Sequence, residues 1–256
     1  MTMMLGFQPD VEHSLEQAFE FAANNGFNHV ELLMDHPHYH YSAIHPQQVS
    51  ELSMSYEVDV LIHAPAITTN FLAISDVARQ ASYEELGKTL YFAEKSEAKV
   101  VTVHIGWNPG FITSRGFIFR EEWFDRHNEK VLTEEFLPFI RENEIIAIEN
   151  TIGISGGIKK GLERIINETD VWLTFDIGHY AVKTGHDLFM ENFDRVINVH
   201  LHDNRGDFDE HLKLGAGSID FSIIPENYRN YLTLELRDED AILESKDFIY
   251  AHGFWM

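Results

Sequence analysis

The stretch LTFD, Leu173 to Asp176, alternates apolar and polar side chains and ends on a carboxylate. Because alternate side chains of a β-strand point to opposite faces, Leu173 and Phe175 are predicted to share one face, and Thr174 and Asp176 the other. Other short apolar runs also end on a charged or imidazole side chain, and in each run this side chain lies on the strand face that corresponds to that of Thr174 and Asp176. These runs are VLIH (60–63), VTVH (101–104), AIE (147–149), NVHLH (198–202) and LTLE (232–235).

Strand candidates of this kind alternate with amphipathic helix candidates along the whole chain of 256 residues. The eight candidates are residues 4–7, 29–33, 58–63, 100–104, 145–149, 171–176, 196–202 and 232–235. This number and alternation are typical of a (β/α)₈ barrel. We therefore predict an α/β protein with one domain, a (β/α)₈ TIM barrel over residues 1–256. A doubly wound open sheet is the alternative, which the lack of GxGxxG and phosphate-loop motifs disfavours.

The helix candidates carry apolar residues at the spacing of one helical face. In residues 11–27 Gly26 is predicted to end the helix, and Asp76 is predicted to cap a long helix over residues 76–98. Residues 238–253 form the last predicted helix. The shared face of the first one consists of Val11, Leu15, Ala18, Phe19 and Ala22.

The chain is strongly acidic, with 42 Asp and Glu against 19 Lys and Arg and a formal net charge of −23. Affinity for nucleic acid comes mainly from Lys and Arg, so this charge disfavours nucleic acid as a partner without excluding it. It also disfavours anionic membranes. The apolar runs are shorter than the about 20 residues of a membrane span, and the N-terminus does not resemble a signal peptide. We expect a cytoplasmic protein, and the sequence permits an oligomer without indicating one.

Histidine is abundant, with 15 residues, and cysteine is absent. A metal would therefore be bound by imidazole and carboxylate, which suits Zn, Mn, Mg or Co. A single strand that ends in Asp or His commonly just meets solvent. Six such ends at one mouth of a barrel, where active sites lie, would instead concentrate buried charge that divalent cations can neutralise.

Several motifs resemble those of the xylose isomerase-like barrel superfamily, which includes endonuclease IV-type enzymes and sugar or sugar-phosphate isomerases and epimerases. The resemblance extends over most of the chain, from LIHAP (61–65) to LELRDEDAILES (234–245). The motifs are IHAP (62–65), VHIG (103–106), IENTIG (148–153), FDIGH (175–179), HLHD (200–203), DEH (209–211) and LEL (234–236).

The resemblance implies metal ligands, between one and three ions per chain. The isomerases and epimerases imply one metal on Glu149, Asp176, His200 and Glu235, with Glu149 and Glu235 as the catalytic acid–base pair. The endonuclease IV-type enzymes imply a three-metal set of nine residues. That set is His63, His104, Glu149, Asp176, His179, His200, Asp209, His211 and Glu235.

The isomerase interpretation is favoured, because residues 200–221 and 232–245 resemble segments of such enzymes. It predicts a divalent-metal-dependent isomerase or epimerase acting on a small sugar or sugar phosphate, with proton transfer by Glu149 and Glu235 or, alternatively, a hydride shift between adjacent carbons. One alternative is a multi-zinc phosphodiesterase of the endonuclease IV type that acts on abasic-site DNA. All nine ligand positions support it, whereas the acidic charge and AITTNF (66–71), which stands where a Tyr-led wedge would be, oppose it. The other alternative is a metal-binding barrel without catalysis.

Substrate contacts are predicted for His179, His202, Glu31 and Arg205. Parity places both His200 and His202 inward, and the resemblance assigns the ligand position to His200 and leaves His202 nearer solvent. Glu31 faces inward at the end of the second strand, a place from which isomerases contact sugar hydroxyls. Arg205 in the following loop is a candidate for substrate anions, as is Lys213, unless both are solvated loop charges.

Two further segments attract attention. HPHYHYSAIHP (36–46) contains four histidines but matches no metal motif. Residues 117–140 are rich in aromatics, and their helical spacing predicts core or subunit contact.

Overall fold

The computed structural model describes residues 3–154, 156–182 and 187–255. The barrel strands are β1 (Met4–Phe7), β2 (His29–Leu33), β3 (Asp59–His63), β4 (Val101–Val103), β7 (Ile146–Glu149), β8 (Trp172–Asp176), β9 (Val196–Leu201) and β10 (Tyr231–Leu234). They pair in parallel and close in the order β1-β10-β9-β8-β7-β4-β3-β2. The predicted TIM barrel is confirmed, and each predicted strand is present within two residues of its expected ends.

The described helices lie mainly between the barrel strands. They are α1 (Leu15–Asn24), α2 (Pro46–Tyr56), α3 (Asp76–Ser96), α4 (Asp125–Val131), α5 (Leu137–Arg141), α6 (Gly156–Glu168), α7 (Ile177–Val182), α8 (Asp187–Glu191) and α9 (Glu239–His252). A π-helical segment, Leu132–Phe136, joins α4 to α5. Among these helices, none has the length and apolar character needed to cross a bilayer.

Two details of the helix starts differ from the sequence-based expectation. Val11 lies before α1 and is 40 % exposed, because Ser14 caps α1 through a capping box with Gln17. The cap of α3 is Ser75, whose hydroxyl accepts from the Ala78 amide, so Asp76 is instead the first helical residue. There its charge still complements the positive end of the helix dipole.

The two faces of each strand meet different surroundings, as the parity predicts. Leu173 and Phe175 are buried in the main apolar core with side chains from the helices. Leu61 and Ala147, of the opposite parity, form a small separate apolar cluster together with Val100. The strands therefore divide an outer apolar core from a barrel interior that also contains polar side chains.

A set of buried polar side chains, here called the interior polar layer, lies inside the barrel. Thr102 and Thr174 contact each other at 3.0 Å, and Thr102 donates to Glu31 at 3.0 Å. Four of its members stand two residues before a strand-end site residue, so they lie beneath the barrel mouth. The layer consists of His29, Glu31, Thr102, Thr174, Asn198 and Thr233, all fully buried.

A small antiparallel hairpin follows β4 and was not predicted. Its strands are β5 (Phe111–Thr113) and β6 (Gly116–Ile118), and Gly116 takes the positive φ of 102° that the turn requires. The aromatic segment predicted to be helical over residues 117–140 is therefore extended at its start, and Phe117 is mostly exposed. A single 3₁₀-helical turn follows at Glu121–Trp123, and regular α-helix begins at Asp125.

Candidate metal centre

The strand-end side chains converge at the C-terminal mouth of the barrel. His63, Glu149 and Asp176 are the last residues of β3, β7 and β8, and His104 and Glu235 directly follow β4 and β10. Parallel strands end at the same rim, which brings these side chains to one place.

The central ligand group consists of Glu149, Asp176, His200 and Glu235, whose ligand atoms all lie within 4.8 Å of one another. Nδ1 of His200 is 3.2 Å from Oε1 of Glu149 and 3.0 Å from Oε2 of Glu235. It is 3.8 Å from Oδ2 of Asp176. Three carboxylates thus surround one imidazole nitrogen, all four residues being buried.

A second group, the His63 group, consists of His63, His104 and Glu149. Oε2 of Glu149 is 3.2 Å from Nε2 of His63 and 2.8 Å from Nε2 of His104. Because Oε1 of the same carboxylate faces His200, Glu149 is shared between two ligand groups through different oxygens.

A third group, the His202 group, consists of His202, Asp209 and His211. A further combination, His63 with His200 and Glu235, joins members of the first two groups and is not named separately. Nε2 of His211 is 2.9 Å from Oδ2 of Asp209, and the His202 and His211 rings stack with centroids 4.1 Å apart. His179 also approaches this carboxylate, with its Nε2 at 3.3 Å, while its Nδ1 contacts the Asn150 carbonyl.

The position of His202 corrects the expectation that it lies nearer solvent. It is 0 % exposed, and its Nε2 is 3.2 Å from Oδ2 of Asp176. The chain after β9 folds back through an antiparallel bridge between Asp203 and Leu212, and the neighbouring His211 stacks on the His202 ring. Parity alone could not reveal this, because the covering loop lies outside the strand.

Asp203 organises the loop that carries Asp209 and His211. Its buried carboxylate accepts hydrogen bonds from main-chain N–H groups along residues 204–219. The donors are Asn204 at 2.9 Å, Gly215 at 3.0 Å, Gly217 at 2.8 Å and Ile219 at 3.1 Å. The sequence signal for this role was the acidic residue at the end of HLHD, followed by the glycines of LGAG.

Glu31 and Arg205, both predicted to contact a substrate, have different positions. Glu31 is 0 % exposed within the interior polar layer, with Oε2 2.9 Å from Nε2 of His200. Arg205 is exposed and pairs with Glu210, and Lys213 likewise pairs with Glu244. A substrate contact by either Glu31 or Arg205 stays a prediction.

Arg237 and Gln8 are site residues that sequence reasoning missed. Nη2 of Arg237 donates to Oε1 of Glu235 at 3.0 Å and to Oε1 of Gln8 at 3.2 Å. Arg237 stands two residues after Glu235, so strand parity could have indicated it. The interaction occupies one oxygen of Glu235 and leaves Oε2 facing His200.

The charges of the centre are strongly coupled. Burial alone would raise the pKa of the Glu149 and Glu235 carboxyls, but the nearby imidazoles hold both pKa values well below the usual range. Burial would likewise lower the pKa of His200 and His211. The facing carboxylates instead raise the pKa of His200 well above its ordinary value and that of His211 to about 9. Protons on these imidazoles therefore balance the carboxylates in the metal-free protein.

The donor set fits divalent cations. Oε2 of Glu235, Oδ1 of Asp209 and Nε2 of His104 are buried and have no hydrogen bond of acceptable geometry among the described residues. Buried polar atoms without a partner are costly, and each of these belongs to one of the three ligand groups. Imidazole nitrogens and carboxylate oxygens are suitable ligands for zinc, manganese and cobalt, and a metal there would displace the imidazole protons.

A cleft of about 320 Å³ opens beside the His63 group. Its lining combines two candidate ligands, His104 and His179, with apolar side chains and one carboxylate. The larger side chains that line it are Trp107, Asn108, Phe119, Glu121, Ile152 and Ile158. A small molecule in this cleft would approach the metal centre from the side of the His63 group.

Comparison with known proteins confirms the resemblance given by the motifs. The profile of a family described as xylose isomerase-like TIM barrel matches residues 19–252. An uncharacterized protein from Methanocaldococcus jannaschii is 28 % identical over 253 residues, which cover 92 % of this chain and 84 % of that relative.

Solved structures show the same architecture. A D-tagatose 3-epimerase-like protein superposes with a TM-score of 0.78 at 26 % identity, covering 98 % of this chain and 97 % of that one. Endonuclease IV from Thermus thermophilus superposes with a TM-score of 0.68 at 21 % identity, covering 97 % of this chain and 98 % of that one. At the latter identity the likeness concerns the fold alone.

Proposed function

Because the chain belongs to the xylose isomerase-like TIM barrel family, we propose that it is a divalent-metal-dependent isomerase or epimerase of a sugar or sugar phosphate. The observation that carries the proposal is the central ligand group, in which two glutamates share one ligand cluster with Asp176 and His200. The likeness to a D-tagatose 3-epimerase-like protein at 26 % identity supports the choice of reaction class.

The metal centre would supply Lewis acidity that polarises a substrate carbonyl and acidifies the adjacent C–H. Glu149 at the end of β7 and Glu235 after β10 stand on either side of β8 and β9. One carboxylate can therefore remove a proton from a carbon while the other returns a proton from a different direction. Arg237 holds Oε1 of Glu235, so Oε2 is the oxygen of Glu235 that faces the centre.

The first test replaces each glutamate by glutamine in protein whose metal content has been measured. Glu149→Gln and Glu235→Gln are each expected to lower turnover by about 10²–10⁴-fold, because proton transfer by a positioned side chain contributes that much. The readout is solvent deuterium incorporation at the carbon next to the carbonyl across a panel of ketoses and ketose phosphates, because this signal does not require the natural product to be known.

Glu244→Gln is the matched control, since Glu244 is a surface carboxylate that pairs with Lys213. It should leave deuterium incorporation unchanged. Metal-loaded protein that incorporates no deuterium into any sugar of the panel, yet cleaves abasic-site DNA, would contradict the isomerase proposal.

A second candidate is a multi-zinc phosphodiesterase, and the presence of three ligand groups favours it. Glu149 faces two of these groups through different oxygens and would hold an ion at each, and clusters of neighbouring ions can bind a phosphate and both reacting oxygens. The net charge of −23 opposes an approach to DNA. Three zinc ions per chain together with cleavage of abasic-site DNA would support this candidate, whereas one exchangeable ion and no cleavage would exclude it.

A further inference from the structure

Glu31 is a buried carboxylate that belongs to none of the three ligand groups. Its Oε2 lies 2.9 Å from Nε2 of His200 in an ion-pair contact, and both atoms are buried without a hydrogen bond of acceptable geometry among the described residues. The opposite ring nitrogen, Nδ1, faces the central ligand group. We propose that Glu31 is a positioning residue that accepts the Nε2 proton of His200 and thereby directs Nδ1 at the metal. The inference rests on the proposed metal centre.

The orientation of the Glu31 carboxylate is determined by its neighbours. Thr102 donates to Oε1 at 3.0 Å, and the Asn198 amide approaches the same oxygen at 3.4 Å. Thr233 in turn donates to Oδ1 of Asn198 at 2.8 Å, which fixes the amide with its nitrogen toward Glu31. These contacts occupy Oε1 and leave Oε2 to His200.

The chemistry of imidazole turns this contact into a choice of tautomer. A neutral ring carries one N–H, and an ionised carboxylate can only accept. Facing Glu31, Nε2 therefore keeps the proton and Nδ1 presents its lone pair to the ligand group. Such a carboxylate behind a ligating histidine fixes the ring and raises its basicity. It also adds one negative charge beneath a group that already contains three carboxylates.

The test measures metal affinity in Glu31→Gln, which keeps the size of the side chain and removes its charge. Loss of such a supporting contact costs about 10–100-fold in metal affinity, so we expect Zn²⁺ or Mn²⁺ to bind that much more weakly in chelator competition. The second readout is the ¹H–¹⁵N spectrum of the zinc-loaded protein, in which the Nε2–H proton of His200 should lie far downfield in the wild type, because a carboxylate accepts it, and should move upfield in the variant.

Glu85→Gln is the matched control, because Glu85 is a part-buried glutamate of α3 that also faces a histidine, His40 at 3.1 Å, but belongs to none of the ligand groups. It should retain wild-type metal affinity. If Glu31→Gln does not fold, Glu31→Asp is the substitute. It keeps the negative charge but moves the carboxylate away from His200 by the length of one methylene group, so metal affinity should again fall by about 10–100-fold.

The outcomes separate the two proposals. A wild-type protein that binds no divalent metal would overturn the proposed function. A wild-type protein that binds metal, with Glu31 variants of equal affinity and an unchanged Nε2–H resonance of His200, would overturn only the role of Glu31.

Discussion

His29 shows how a single buried side chain links the barrel interior to solution pH. Its Nε2 contacts the Thr233 hydroxyl at 2.8 Å, and it is fully buried. Burial lowers the pKa of His29 to about 3, although the nearby Glu31 carboxylate favours the charged ring. The folded protein therefore resists protonation at this position, whereas the unfolded chain accepts a proton near the ordinary pKa of about 6.5.

The sign of the resulting pH dependence follows from linkage. Above pH 6.5 the ring is neutral in both states; as the pH falls below that value only the unfolded state gains a proton, so stability is lost. A folded pKa of about 3 makes this loss about 2 kcal/mol at pH 5. His29→Gln should remove this pH-dependent loss of stability. Between pH 7.5 and pH 5 the unfolding free energy of the wild type should therefore fall by about 2 kcal/mol more than that of the variant.

Urea unfolding of both metal-free proteins at the two pH values measures this difference, because the other titrating groups are common to both. Parallel pH profiles for the two proteins would contradict the assignment.

The contact of Glu31 with His200 illustrates what sequence reasoning could not supply at this scale. Parity predicted that both side chains face inward, but the pairing joins β2 to β9 across the barrel and depends on strand stagger.

At the scale of the element, the loop between β9 and β10 depends on Asp203. The carboxylate accepts from four main-chain N–H groups, and the loop it holds carries Asp209 and His211. Asp203→Asn has one acceptor oxygen instead of two and no charge, so it cannot keep the whole set. In protein that holds an ion at the His202 group, as the multi-zinc candidate requires, we expect that ion to bind at least about tenfold more weakly, while binding at the central ligand group is retained.

Metal stoichiometry per chain, measured by elemental analysis after dialysis, and calorimetric titration test this expectation. Asp207→Asn is the matched control, because Asp207 is an exposed carboxylate of the same loop. An unchanged stoichiometry and unchanged affinities in Asp203→Asn would contradict the role of this carboxylate.

The strands could be predicted and this loop could not, for a physical reason. A strand with a period of two residues displays its inward side chains in the sequence, so the positions of His63, Glu149 and Asp176 follow from parity. The loop has no period, and the burial of His202 depends on the bridge between Asp203 and Leu212. The hairpin of β5 and β6 was missed because the aromatic run of residues 117–140, which has the spacing of a helical face, begins inside β6.

For the whole molecule, the dominant electrostatic property is an excess of 23 negative charges, from 42 acidic and 19 basic residues. Many surface ion pairs are present, but they cannot balance this excess, and self-repulsion destabilises a compact chain. Salt screens that repulsion. We expect the melting temperature of the metal-free protein to rise by about 2–4 °C between 10 mM and 500 mM NaCl, the shift that about 1 kcal/mol produces in a domain of this size.

Thermal unfolding followed by circular dichroism measures this shift, and potassium chloride in place of sodium chloride should give the same result. A melting temperature that falls with salt would mean that favourable ion pairs outweigh the excess charge.

Glu149 contributes one oxygen to the His63 group and the other to the central ligand group. Two binding sites that share a ligand cannot be filled independently. Thermodynamic linkage requires reciprocity: if an ion at one site changes the metal affinity of the second site by some factor, an ion at the second site changes the metal affinity of the first by the same factor. Ions bound at both groups would therefore be coupled through the Glu149 carboxylate, and the filling of one group would depend on the filling of the other.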